Sequence, residues 1–173
     1  MEKHTMEKSH FLTRELCEQV FAAWRESFEN IPKDGNDEVR ALAVLNPVLT
    51  YEQVEAGIMH DPTWSSVLLW EDHVGDSDDL PAYIENARLR AFEALYHRES
   101  LSSVWESRPA CLRSGRIEWV AGVYLAGISF GVSGQDEKRN AYYVASFAED
   151  LVRNVKVAAW GQTLLAVKVR LTR

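Results

Sequence analysis

Residues 117–132 read IEWVAGVYLAGISFGV, a run whose only ionisable side chains are Glu118 and Tyr124. Everything else in it is aliphatic, aromatic or small, with Gly122, Gly127 and Gly131 spaced through it. Strands covered on both faces have this composition, because a side chain that never meets water need not alternate with a polar one. At a period of two, Val120, Tyr124, Ile128, Phe130 and Val132 fall on one face and Trp119, Ala121, Val123, Leu125, Gly127 and Ser129 on the other. The second face thins to small residues toward its end. Glycine in a strand marks a bulge, a bend or close contact with another backbone, so the stretch predicts a bent core strand, or two strands joined near Gly122, approached closely by a helix. A glycine-lined pocket is the other reading of the same thinning. The run falls short of the ~20 residues a membrane-crossing helix needs, and no membrane association is expected.

On the C-terminal side, SGQDEKRN is a polar connection, and Val144, Phe147, Ala148, Leu151, Val152 and Val155 recur at helical spacing from about Glu137 to Asn154. Val167, Val169 and Leu171 then alternate with Lys168 and Arg170, which predicts a final edge strand, with residues 155–160 pairing to it through Gly161 and Gln162. On the N-terminal side, residues 1–9 read as a flexible tail. Leu16, Val20, Trp24 and Phe28 predict an amphipathic helix from Thr13 to about Asn30, stopped by Pro32 and Gly35. A short helix over 37–45 ends ahead of Pro47. Thr50 and Gln53 form a capping box that starts a third helix, to about Met59. After the Asp61-Pro62-Thr63 turn, residues 64–70 fit a short buried strand and residues 71–79, EDHVGDSDD, a loop. Ile84, Ala87, Ala91, Ala94 and Leu95 make the core stripe of a fourth helix, its first turn holding Pro81 and its wetter side Glu85, Arg88, Arg90 and Glu93. A further helical turn spans 100–109.

With 173 residues, 46% hydrophobic and 26% charged, residues 10–173 are expected to form one α+β domain. Its helix-rich N-terminal half packs on a small, mainly antiparallel sheet formed largely by the C-terminal half. The charged opening MEKHTMEKSH has no apolar stretch of a secretory signal behind it, which makes the cytoplasm the expected location. Cys17 and Cys111 are far apart and in no metal or disulfide pattern, so each is expected to be a buried small hydrophobe.

The charge is unevenly laid out. Residues 1–105 hold 20 acids and 9 bases, and residues 106–173 hold 6 and 10. No Lys or Arg occurs between 41 and 87, where Glu52, Glu55, Asp61, Glu71, Asp72, Asp76, Asp78, Asp79 and Glu85 lie. A local negative potential repels phosphates and anionic membranes and attracts basic proteins, so a basic protein partner is expected and direct nucleic-acid binding is not. The bases Arg108, Arg113, Arg116, Lys168, Arg170 and Arg173 are too dispersed for a nucleic-acid motif.

Chemistry has fewer handles. His60, Asp61, Asp72 and His73 supply imidazole and carboxylate, the ligand types of a divalent metal, at permissive spacing. Asp76-Ser77-Asp78 opens like a calcium loop but lacks the later glycine and glutamate. There is no nucleophile elbow, P-loop or GxGxxG, and no cofactor is expected. The leading expectation is a non-enzymatic cytoplasmic binding protein of the inhibitor or immunity type. It would engage a basic partner through Glu71, Asp72, Asp76, Asp78 and Asp79, with Trp64 and Trp70 as anchors. Two further readings are a metal-assisted hydrolase or lyase using His60, Asp61, Asp72 and His73, and a homo-oligomeric structural subunit paired through the final strand.

Overall fold

A two-residue turn divides the core stretch. The computed structural model describes residues 11–29, 39–112, 120–134 and 137–171, with the backbone alone at 27–29, 137, 138 and 162–171. The tail over 1–9, the helix stop at Pro32 and Gly35, and Glu118 and Trp119 lie outside the described residues. Strand β3, Gly122–Leu125, and strand β4, Ile128–Gly134, are joined by Ala126 and Gly127 at φ 54° and 86°. Two successive positive φ values give the turn whose twist matches that of the flanking strands. The hairpin therefore closes at Ala126–Gly127 and not near Gly122. Such a turn also reverses parity: Val123 pairs with Phe130 and Leu125 with Ile128. Val123, Leu125, Ile128, Phe130 and Val132 consequently pack into one core cluster, although an uninterrupted strand would have put Val123 and Phe130 on opposite faces.

Among the described residues the remaining elements are α1 (Arg14–Glu29), β1 (Arg40–Leu45), α2 (Tyr51–His60), β2 (Leu68–Val74), α3 (Leu80–His97), α4 (Leu101–Ser107), a 3-10 turn (Pro109–Cys111) and α5 (Glu137–Leu171). The sheet order is β2-β1-β4-β3 with every pair antiparallel. Among the described residues, five α-helices and a four-stranded antiparallel sheet thus make a single α+β domain. The strands are interspersed along the chain and not gathered into its C-terminal half.

β1 is the main correction. Residues 40–45, read from sequence as the end of a short helix, form a central strand with all six residues buried. Ala and Leu favour helix locally, but here alternate side chains serve two cores, and tertiary packing overrides propensity. Leu42 and Val44 enter the core shared with α1 and α5, while Ala41 and Ala43 face Ala87 of α3. β2 begins later than the sequence indicates and takes in Glu71, Asp72 and His73 of the expected loop. At the other end, α5 continues to Leu171, so neither the final strand at Val167, Val169 and Leu171 nor its pairing with 155–160 exists.

The close approach of a helix at the glycines is present. A Cβ on Gly131 would lie 1.9 Å from the Ala87 carbonyl oxygen, and one on Gly122 would lie 2.6 Å from that of Arg90. Gly131 pairs with Ala43 on one side and Gly122 on the other, a row of small residues that lets α3 rest its backbone on the sheet. On the opposite face α1 and α5 enclose the aromatic centre of the core. There Trp70 stacks on Phe147 at 5.7 Å and meets Phe21 edge-on at 5.0 Å. Cys17 is buried beside them, its thiol pushed up to about 12 by desolvation, whereas Cys111 is exposed, contrary to expectation. No described helix is long and apolar enough to cross a membrane.

Candidate binding surface

The two tryptophans expected as exposed anchors are core residues. Trp64 is 1% and Trp70 2% exposed. Trp64 takes φ 63° in the tight turn after Asp61, which turns its ring inward against Phe92. Trp70 lies within β2, on the face covered by α1 and α5. Neither can reach a partner.

The acidic segment is one run in sequence and several places in space. Glu71 is chelated by Arg88 of α3 through two hydrogen bonds, 2.8 Å from Nε and 2.7 Å from Nη2. That fork is the geometry a guanidinium offers a carboxylate, and it holds the Arg88 pKa above its ordinary value. Glu85 adds a second contact at 3.4 Å. Asp72 accepts the His73 backbone N–H at 2.8 Å and lies 3.6 Å from Arg25 of α1. Both acids therefore tie β2 to its neighbouring helices. Glu52 and Glu55 are exposed on α2, whose Tyr51 stacks on Phe92 and meets Tyr96 at a tilt in the second half of α3. Asp76, Asp78 and Asp79 are exposed at the other end, in the connection leading into α3. Asp79 is the N-cap residue, with Pro81 in the first turn, but its side chain makes no capping bond; its backbone N–H donates to Ser77 Oγ at 3.1 Å. Among the described residues no cation forms an ion pair with Asp76, Asp78 or Asp79.

The four candidate metal ligands do not converge. His60 is exposed at the end of α2. Asp61 accepts from the Ser65 and Thr63 hydroxyls at 2.5 Å each and from the Thr63 N–H at 2.9 Å. These bonds, the Ser65 hydroxyl foremost, hold its carboxyl down at about 2 and commit it to the turn that buries Trp64. Asp72 and His73 are on β2, with His73 Nδ1 4.0 Å from the Asp72 carboxylate. Among the described residues no three His, Cys, Asp or Glu side chains are grouped to hold a metal ion.

Buried polar residues were not legible in the sequence. Arg90 and Glu93, expected on the wet side of α3, are 1% and 4% exposed. Arg90 donates to the Val132 carbonyl at 2.6 Å, and Glu93 lies 3.9 Å from His97 Nε2. Arg40 is fully buried with its guanidinium 3.9 Å from the Tyr143 ring centre, a cation–π contact in a dry setting. This last contact depends on residues 40–45 being a strand. α1 and α5 leave between them an open groove of about 300 Å³ lined by Leu16, Gln19, Val20, Ala23, Trp24, Asp150 and Asn154. Comparison with protein-family models, curated proteins and solved structures finds no match to this chain.

Proposed function

We propose that this chain is a non-enzymatic binding protein that presents the β2–α3 connection to a basic protein partner. The observation that carries the reading is the exposure of Asp76, Asp78 and Asp79 together in one connection, without an ion-pairing cation among the described residues. Three carboxylates so placed attract a cationic surface over about a Debye length and accelerate encounter. Glu71 and Asp72 leave the contact set and become positioning residues. Their pairing with Arg88 and Arg25 fixes the end of β2 from which the connection departs. Trp64 and Trp70 leave it altogether.

The test is capture from a cell lysate with the tagged protein, followed by association kinetics with whatever basic protein is retained. Replacing Asp76, Asp78 and Asp79 by Asn slows association at low salt about tenfold or more and flattens its salt dependence. An association rate unchanged by the triple replacement overturns the reading.

A further inference from the structure

Val157 and Trp160 are 65% and 73% exposed on α5, past Val155, the last buried residue of that helix among the described side chains. None of residues 156–161 is buried, yet the helix runs on to Leu171, roughly 24 Å beyond Val155 at 1.5 Å per residue. Positions 150, 154, 157, 160, 164, 167 and 171 are three or four apart and so form a single stripe along the helix. Its first members, Asp150 and Asn154, line the α1–α5 groove. Its later members are Val157, Trp160, Leu164, Val167 and Leu171. The stripe therefore begins in the groove and runs on past it through the exposed Val157 and Trp160.

That face fits a second copy of itself. Phe21 meets Phe147 at 6.5 Å and Trp24 meets Tyr143 at 5.4 Å, so α1 runs antiparallel to α5. A twofold axis near Val157 lays the α5 end of one copy antiparallel to α5 of the other and alongside α1. Helical rise then brings position 160 level with Leu16, position 164 with Val20 and position 167 with Trp24. Charge selects this occupant over others. Residues 151–173 hold five bases and no acid, whereas residues 1–150 hold 26 acids and 14 bases. Two α5 ends paired only with each other juxtapose cations, and an anionic bilayer meets repulsion from the acidic remainder. On α1 the exposed Glu15 flanks the groove next to Leu16 and Gln19, while Glu18, a residue further round the helix, pairs with Arg14 at 3.1 Å. We propose that this chain forms a twofold dimer in which each α5 end lies along the α1–α5 groove of the other copy.

Sedimentation equilibrium of the full chain tests it. The wild type is dimeric at low salt, and its dissociation constant rises with salt. Trp160→Ala raises that constant about thirtyfold, the effect of truncating a central aromatic. Ala23→Arg, which places a bulky cation at an exposed groove position, raises it comparably, and both variants keep the wild-type far-UV spectrum. A wild type that stays monomeric at every concentration overturns the proposal. A dimer weakened by Trp160→Ala but indifferent to Ala23→Arg also overturns it, because the ends then pair with each other. A monomer that binds phosphatidylserine vesicles through Trp160 overturns it in favour of a membrane surface.

Discussion

Gly131 has α3 backbone directly above it, so its replacement has nowhere to put a methyl group. In Gly131→Ala the new Cβ meets the Ala87 carbonyl at 1.9 Å and the Ala91 nitrogen at 2.6 Å, neither of which can rotate aside. Lifting the helix is expected to lower stability by about 1–3 kcal/mol, read from the urea midpoint, whereas Gly161→Ala, with nothing within 4 Å, does not lower it. Asp61 gives a second test at this scale. Its folded pKa of about 2 lies below the ordinary 3.8, so its contribution is present above the higher value and fades as pH falls through the lower one. Asp61→Asn is expected to flatten the acid limb of the stability profile between those values, measured by thermal melts against pH. Of the two sites, only the glycine could be understood from the sequence, because a thinning strand face announces a close neighbour. Asp61 looked like a metal ligand, since the hydroxyls that occupy it are polar residues with many other uses.

Helices that announce themselves locally were legible, and those stretches whose fate depends on distant partners were not. The Thr50–Gln53 capping box forms as the sequence indicates, with Gln53 N–H donating to Thr50 Oγ1 at 3.3 Å and Thr50 N–H to Gln53 Oε1 at 2.8 Å. Thr50→Ala is expected to cost about 1 kcal/mol in the same urea assay. By contrast, residues 40–45 carry good helix formers, and only the two cores above and below them make them a strand. The segment VKVRL alternates like a strand but also continues the three-and-four spacing of α5, and the helix it extends decides the matter. Between elements, the Glu71–Arg88 chelate joins β2 to α3. A double-mutant cycle with Glu71→Gln and Arg88→Met is expected to return a coupling of about 1 kcal/mol, as for a partly buried bidentate pair.

For the molecule as a whole, composition was enough for the α+β class and the polarised charge, but not for which aromatics face water. Six tryptophans look alike in a sequence; Trp64 and Trp70 are buried while Trp160 is 73% exposed, because α5 outruns the body it packs on. The centre of that body is β1, hydrogen-bonded on both edges and covered on both faces. Its amides, with those of β4, are expected to be the slowest to exchange with deuterium, at the global unfolding free energy, and the connection at 75–79 among the fastest. The strand order has a bearing on biosynthesis too. β1 and β2 leave the ribosome as neighbours, but β1's other partner, β4, is made only after α2, α3 and α4. At roughly 5–20 residues per second, that edge waits on the order of ten seconds for its mate, a window in which a nascent chain offers a bare apolar strand to any chaperone or sister chain nearby.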